Sequence, residues 1–423
     1  MLVQALYNVV DSIFVARISE NALTAVTLAF PMQNFMFSIG AGTGVGVNAM
    51  LSRALGEKKF DESDLAANNG LFLTFISAFV FMFIGLFLSG PFIATQTGNP
   101  EIIAYGKQYL GIICVFSYGL YFQMMFERLL QSTGLTLYSM VSQIVGAVTN
   151  IILDPIMIFG LFGLPALGVR GAALATVIGQ SVAATLGLMM NLRVNKEIRF
   201  SLKKVLSLNG EMVRKIYAVG VPSILMMSIG SIMTYCMNKI LIAFSNTATA
   251  VFGVYFKLQS FFFLPVFGLN NGLIPVLAYN YGARRKDRVI EALKFSVTLA
   301  LVIMAAGTLV MNLFPKELLG LFNASQDMMG IGVPALRIIS LHFPVAAAAI
   351  IIGSTFQAFA QSIYSLITSI ARQLVALIPA AWLLSLTGNV NNVWWAFMIS
   401  EVVSLTMTLV FFRKLYREKI EDL

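Results

Sequence analysis

The sequence predicts an all-α integral membrane protein of twelve transmembrane helices, arranged as two six-helix lobes. The first observation is composition: of 423 residues, 58% are hydrophobic and 11% are charged, against roughly 25% charged in a typical soluble domain. The second is that apolar residues form long runs, such as 71–89 and 297–311. These runs indicate membrane spans, since a span needs about 20 mostly apolar residues. The third is an internal repeat. This composition excludes soluble, disordered, disulfide-rich and nucleic-acid-binding classes.

Twelve apolar segments are separated by turn residues and charges. Gly98-Asn99-Pro100 and Gly388-Asn389 are typical separators, since Gly, Asn and Pro interrupt helices. The predicted spans are 1–16, 23–51, 67–94, 103–127, 137–161, 171–192, 213–243, 248–278, 289–314, 331–357, 362–386 and 390–412.

The basic residues predict how these spans are oriented. Most Lys and Arg residues lie after the even-numbered spans, as in 284–288, or in the C-terminal tail, whereas the odd-numbered loops contain only Arg17, Arg170 and Lys316. Cytoplasmic loops carry an excess of Lys and Arg. We therefore predict a multi-pass protein of the plasma (inner) membrane with both termini cytoplasmic. The +9 net charge is a topology signal, and no nucleic-acid partner is expected.

The sequence matches itself at a constant offset of 226 residues. Gln33 pairs with Gln259, and Gln131 pairs with Gln357. Because each half holds an even number of helices, the halves share an orientation and are related by an axis along the membrane normal. The predicted domains are an N-lobe at 1–192, a cytoplasmic linker at 193–212, a C-lobe at 213–412 and a cytoplasmic tail at 413–423.

The same offset predicts a truncated first helix. Pro222 lies near the start of the span 213–243, and its counterpart would precede Met1. A span of 16 residues barely crosses a bilayer. We therefore expect the native protein to have residues upstream of Met1.

Two carboxylates lie well inside the predicted spans of the first half, Asp11 and Asp154. Tyr7 precedes Asp11 by four residues, and Asn150 precedes Asp154 by four, so each pair shares a helix face. An ionisable residue within the membrane is costly and indicates a functional site by default. Without a cationic partner, such carboxylates hold a proton or bind a cation, which predicts an ion-coupling site. The alternative is local hydrogen bonding at helix breaks.

Neighbouring polar residues extend this pattern. Thr176 and Gln180 are four apart on the span 171–192, and Gln143 lies seven residues before Asn150. Pro155 cannot donate a backbone hydrogen bond and leaves the carbonyl of Ile151 without its helical partner. The spans 1–16, 137–161 and 171–192 thus each provide oxygen atoms that could bind an ion. We expect the coupling ion to be a proton, or Na⁺ bound by Asp11, Asn150, Asp154 and Thr176.

The second half has a different charge pattern. Its basic residues include Lys239, Lys257 and Arg372, against one acid clearly inside the membrane, Glu401. A charge inside the membrane pairs with an opposite charge wherever one is within reach. We predict a structural salt bridge between Glu401 and Lys257 or Arg372.

A substrate cleft is predicted from adaptable and amide side chains. Met226, Met233 and Met237 share one face of the span 213–243, and flexible thioethers suit a pocket that accepts many apolar shapes. Packing against lipid explains the same methionines, so that alternative stays open. The predicted cleft residues are Gln33, Gln143, Gln180, Met226, Met233 and Met237.

No enzyme chemistry is predicted. The chain has one histidine, His342, and two cysteines, and it lacks an HExxH or Walker motif. Catalysis generally needs paired groups or a metal cluster. Neither a metal cluster nor an organic cofactor is expected, and the lack of a nucleotide domain argues against an ATP-driven pump.

Several segments carry a family resemblance. They are Val10-Asp11, the loop 53–57 with its repeat counterpart 280–284, the run 149–155 that reads TNIILDP, and the stretch 168–176. Through them the chain resembles the multidrug and toxic compound extrusion (MATE) transporters over nearly its whole length. The resemblance implies a V-shaped pair of lobes, alternating access, and export driven by protons or sodium. It also implies an N-lobe coupling site at Tyr7, Asp11, Asn150, Asp154 and Thr176.

Two functions compete. The first is a secondary antiporter that exports amphipathic, cationic organic compounds in exchange for protons or sodium. The second is a lipid or lipid-linked oligosaccharide flippase, in which Lys239, Lys257 and Arg372 line a cationic cavity. The two differ in whether these cations face a central cleft or Glu401. Efflux is favoured, with drug-like substrates, lipid contacts and a monomeric protein expected.

Overall fold

The computed structural model describes residues 14–15, 17–163, 165–322, 324–421 and 423. Throughout this range the regular secondary structure is helical. The chain separates into two compact units, which divide between Gly220 and Val221.

The first unit contains the helices α1 to α8, and α9 crosses the boundary between the units. Their bounds are α1 Glu20–Gly56, α2 Phe60–Phe87, α3 Ser89–Ala94, α4 Pro100–Val115, α5 Tyr118–Ser132, α6 Thr136–Phe159, α7 Val169–Arg193, α8 Leu202–Leu206 and α9 Gly210–Ile242.

The second unit contains the remaining helices and two short π-helical turns. The helices are α10 Asn246–Gly282, α11 Lys286–Leu313, α12 Pro315–Gly320, α13 Gln326–Ser340, α14 Phe343–Ala358, α15 Ser362–Ile370, α16 Ile378–Ser385, α17 Val390–Val393 and α18 Trp395–Leu415. The π-helical turns are Ala371–Leu377 and Tyr416–Ile420. The predicted tail at 413–423 therefore begins inside a helix.

The described helices fit a multi-pass membrane protein. Nine are long and apolar enough to cross a membrane, and two bent pairs raise the number to 11 if each pair forms one span. The predicted span 1–16 lies almost wholly outside the described residues. Both units bury hydrophobic side chains, including Phe81 and Tyr121 in the first and Phe252 and Trp394 in the second.

Two predicted spans, 103–127 and 331–357, are not continuous helices. The first is broken between α4 and α5, which are bent by 44°, and the second between α13 and α14, which are bent by 43°. Pro344 occupies the first turn of α14, where its missing N–H ends the preceding helix. At the other break, the Ser117 hydroxyl donates to the Ala78 carbonyl oxygen at 3.3 Å, which ties the break to α2.

The helix bounds repeat at the same offset as the sequence. Adding 226 to the bounds of α1, α2 and α3 gives the bounds of α10, α11 and α12. The caps repeat as well, because Ser19 and Ser245 each accept a hydrogen bond from the backbone N–H three residues later. Lys58 and Arg284 both adopt positive φ angles, 59° and 54°. The same local structure is thus built twice.

The segment that follows α7 lies against the first unit through side chains of α2. Asp64 Oδ1 accepts the Arg199 N–H at 2.7 Å, and Asn68 Oδ1 accepts the Ser201 N–H at 3.0 Å. Asn69 Oδ1 accepts the Asn209 N–H at 2.9 Å. Much of the predicted linker at 193–212 is therefore held on α2, and we call residues 199–209 the docked segment.

We predict that Asn68→Ala releases the docked segment. The substitution removes the bond to Ser201 and a second bond from Asn68 Nδ2 to the Arg199 carbonyl at 3.0 Å. Losing such bonds costs about 1–3 kcal/mol, so trypsin should cleave after Lys203 and Lys204 roughly tenfold faster when opening is rapid. Asp61→Ala is the control. Asp61 also lies on α2 and is 3.9 Å from Lys204 of the docked segment, but it is exposed, and an exposed ion pair contributes little to stability. Equal cleavage rates for wild type and Asn68→Ala would contradict the docking role.

Candidate functional site

Helices α6 and α7 approach closely at two glycines. A Cβ atom on Gly179 would lie 2.7 Å from the Gly146 carbonyl oxygen and 3.0 Å from Asn150 Cβ. A Cβ atom on Gly146 would lie 2.9 Å from the Gly179 carbonyl oxygen. Small residues let membrane helices pack backbone against backbone. This contact holds the polar face of α6 directly against α7.

Three predicted site residues meet where these helices touch. Asn150 Nδ2 donates to Asp154 Oδ1 and to Thr176 Oγ1, both at 3.3 Å. All three side chains are buried, and Asp154 is 0% exposed. We call Asn150, Asp154 and Thr176 the oxygen cluster. Tyr7 and Asp11, the other two predicted coupling residues, lie outside the described residues.

The oxygen cluster has the donor set of a proton or hard-cation site. Within the described residues, Asn150 Oδ1 is buried and accepts no hydrogen bond. Pro155 lies inside α6 and cannot donate to the carbonyl of Ile151. Carboxylate, amide and hydroxyl oxygens are ligands for hard cations. The described part of the chain contains no group of three or more His, Cys, Asp or Glu side chains that could hold a metal ion.

The predicted cleft residues are spread across the structure. Gln33 Nε2 donates to the Tyr109 hydroxyl at 3.4 Å, and Gln143, Gln180 and Met226 are half-buried. Met233 and Met237 instead belong to the hydrophobic core of the second unit, where Met237 is 0% exposed. Those two methionines therefore pack internally in this structure.

In the second unit, Glu401 pairs with Arg372. Arg372 Nη1 lies 3.0 Å from Glu401 Oε1, with 26% of the arginine side chain and 6% of the glutamate side chain exposed. Lys257 lies over the Phe322 ring, 5.9 Å from its centroid, and Lys239 lies 5.7 Å from the Tyr235 ring centroid. Of the two partners predicted for Glu401, the structure selects Arg372.

Glu127 of α5 is a buried acid that was not predicted from the sequence. Its side chain is 8% exposed, and Gln123 Nε2 donates to Glu127 Oε1 at 2.9 Å. The predicted span ended at 127, whereas α5 continues to Ser132. The Thr133-Gly134 turn, with Gly134 at φ 80°, is the sequence signal that marks the true end.

The fold and the oxygen cluster define an all-helical membrane protein with a buried polar site between two of its spans. A comparison with protein-family models gives a match to MatE over residues 1–156 and 222–383. The chain belongs to the MatE family, whose members are membrane transporters.

Similar proteins cover nearly the whole chain. The multidrug export protein MepA of Staphylococcus haemolyticus strain JCSC1435 is 25% identical over 97% of this chain and 90% of its own. MepA of Staphylococcus aureus strain MSSA476 is 25% identical over 95% and 87%.

Solved structures share the fold. An outward-facing multidrug resistance MATE family transporter of the MOP superfamily has a TM-score of 0.93 at 24% identity, covering 100% of this chain and 94% of that one. A MOP superfamily transporter from Pyrococcus furiosus, described as having a binding pocket of reverse polarity, has a TM-score of 0.90 at 24% identity, with 98% and 92% covered.

Gly179→Ala should destabilise the protein because the added Cβ meets a backbone oxygen of α6. Overpacking of this kind costs about 1–3 kcal/mol, so the unfolding temperature in detergent should fall. The matched control is Gly253→Ala, also a helical glycine, whose Cβ would meet nothing within 4 Å. An unchanged unfolding temperature for Gly179→Ala would contradict the close approach.

The Arg372–Glu401 pair predicts strongly non-additive substitutions. Arg372→Gln leaves the buried Glu401 carboxylate without its cation, which should cost about 2–4 kcal/mol after allowance for the partial exposure of Arg372. Arg372→Gln with Glu401→Gln should recover most of that loss. Unfolding of the two single variants, Arg372→Gln and Glu401→Gln, and of the double variant in detergent measures the coupling, and additive losses would argue against a structural ion pair.

Proposed function

We propose that this protein is a secondary active efflux antiporter. Its substrates are amphipathic, cationic organic compounds, exported in exchange for protons or sodium by alternating access. Membership of the MatE family supports this proposal, as do relatives named as multidrug export proteins that align over 90% of their own length.

The proposed architecture is twelve transmembrane helices in two lobes, at 1–192 and 213–412, in the plasma (inner) membrane with both termini cytoplasmic. Helix bounds that repeat at an offset of 226 support the two-fold repeat. One chain is proposed to be the working unit.

The oxygen cluster is the observation that carries the coupling proposal. Asp154 is fully buried in a membrane span, next to Asn150 and Thr176. A carboxylate in that setting is stabilised by a proton or a bound cation. Tyr7 and Asp11 are proposed to complete the site.

Protonation would change the hydrogen bonds between α6 and α7. The ionised Asp154 accepts from Asn150 Nδ2, whereas a protonated carboxyl group becomes a donor and finds an acceptor in Asn150 Oδ1. An amide that turns to accept this proton changes its bond to Thr176. Neutralisation also removes the attraction for a cationic substrate. The shift between states is limited by the difference in their affinities for the ion.

The flippase alternative needs uncompensated cations in the second unit. Arg372 is instead neutralised by Glu401 at 3.0 Å, and Lys239 and Lys257 lie over aromatic rings. These contacts weigh against a pyrophosphate-binding cavity built from these three residues.

Asp154→Asn and Asp11→Asn should each abolish ion-driven transport. The amide is nearly isosteric but cannot titrate at neutral pH, so ethidium accumulation in inside-out vesicles should fall to the level of vesicles without the protein. The measurement is made under an imposed proton gradient and again under a sodium gradient. Wild-type accumulation in one gradient identifies the coupling ion.

Two further variants sharpen this test. Asp61→Asn removes an exposed carboxylate of α2 and should transport normally. Thr176→Val removes a hydroxyl ligand but no titratable group, so it should weaken sodium-driven transport more than proton-driven transport. Full ion-driven activity in Asp154→Asn would refute the coupling role. Lack of wild-type accumulation in both gradients would favour the flippase.

A further inference from the structure

A groove opens at the end of the second unit where α10 finishes and α11 begins. Its volume is about 950 Å³. Val276 and Asn280 of α10 form one wall, and residues 286–295 of α11 form the other. We call this the α10–α11 groove.

Positive charge predominates around this groove. Lys286, Arg288 and Lys294 line it together with the acids Asp287 and Glu291. Arg284 and Arg285 directly precede it in the chain. Among the described residues, none of these acids forms an ion pair with these bases. Arg288 and Lys294 are exposed, so their charges are available to an anion.

Lys286 is already engaged in the structure. Its ammonium group donates to the Glu421 carbonyl oxygen at 2.7 Å and lies 5.7 Å from the Tyr416 ring centroid. This contact fixes one end of the α10–α11 groove. Anion binding therefore depends on Arg288 and Lys294.

Apolar side chains beside these charges face outward. Phe295 is 66% exposed and Val276 is 45% exposed. Phe295 lies nine residues into α11, which places it about 13 Å along the helix from Lys286. Both residues belong to helices that are long and apolar enough to span a membrane. The groove thus places basic side chains next to apolar ones on two helices that can span a membrane.

The repeat shows that the first unit fills the corresponding surface with its own chain. At the offset of 226, α2 corresponds to α11, and the equivalent pairs are Asp64 with Ile290, Asn68 with Lys294, and Asn69 with Phe295. In the first unit these polar side chains bind the backbone of the docked segment. Ile, Lys and Phe side chains cannot accept those backbone N–H bonds, and here the surface is open.

We propose that the α10–α11 groove binds an anionic phospholipid. Arg288 and Lys294 hold the phosphate of the head group, and an acyl chain lies along Phe295 and Val276. Basic pockets between transmembrane helices bind lipid head groups of this kind. The lipid would cover in the second unit the surface that the docked segment covers in the first.

Native mass spectrometry of the purified protein tests this proposal, using added phosphatidylglycerol and, separately, phosphatidylcholine. The double variant Arg288→Gln/Lys294→Gln should bind phosphatidylglycerol about thirtyfold more weakly, since each basic side chain near the surface contributes up to a several-fold gain in affinity. Binding of phosphatidylcholine should not change. The control Lys196→Gln/Lys203→Gln removes the same charge from exposed lysines elsewhere and should bind like the wild type.

Two more variants separate the parts of the groove. Arg288→Lys/Lys294→Arg keeps the charges and should keep the preference for phosphatidylglycerol, even if the neutral variant folds poorly. Phe295→Asn, which installs the residue found at the equivalent position of the first unit, should weaken both lipids alike.

Three results would overturn the proposal. The first is equal affinity of the wild type for the two lipids. The second is undiminished phosphatidylglycerol binding by the neutral double variant, or an equal loss in the control. The third is a dimer mass that disappears in the double variant, which would assign the groove to a second copy of the chain. None of these measurements depends on transport, so the antiporter proposal stands or falls separately.

Discussion

The structure depends on one constraint, that hydrocarbon offers no hydrogen-bonding partners. Many hydroxyl groups in the spans donate a hydrogen bond to a carbonyl oxygen of their own helix. Thr74, for example, donates to the Gly70 carbonyl oxygen at 2.8 Å. Other side chains bond to a neighbouring helix. Ser142 donates to the Ala183 carbonyl oxygen at 2.8 Å, and Asn150 donates to Thr176. Both join α6 to α7, so buried polar bonds as well as close packing hold this helix pair together.

Composition and the repeat were sufficient to predict the helical class and most helix positions, because apolar length is a local property of the sequence. The breaks in 103–127 and 331–357 were not predicted. The break before Tyr118 has no proline, and Ser117 is bonded to Ala78, 39 residues away. Such a contact exists only after the helices have packed. Pro344 was a usable signal for the other break.

The oxygen cluster was predictable because its residues follow helical spacing and match a family motif, whereas Glu127 was hidden by a helix end placed five residues early. Met233 and Met237 illustrate a different difficulty. A methionine facing a cleft, a lipid or a protein core has the same neighbours in sequence, and only packing shows that these two are internal. The partner of Glu401 had two candidates for the same reason, since the sequence does not reveal which cation lies within reach.

The docked segment also bears on how a doubled protein is put together. Joining two copies of a helical unit requires a connecting chain. Here it rests on α2 through Asp64, Asn68 and Asn69, so the two copies face different selection at equivalent positions. The first copy must keep the carboxylate and amide side chains that bind this backbone. In the described part of the chain the second copy binds no such segment, so its equivalent positions are free to carry other side chains. Joining the two copies in one chain therefore allows their surfaces to differ chemically.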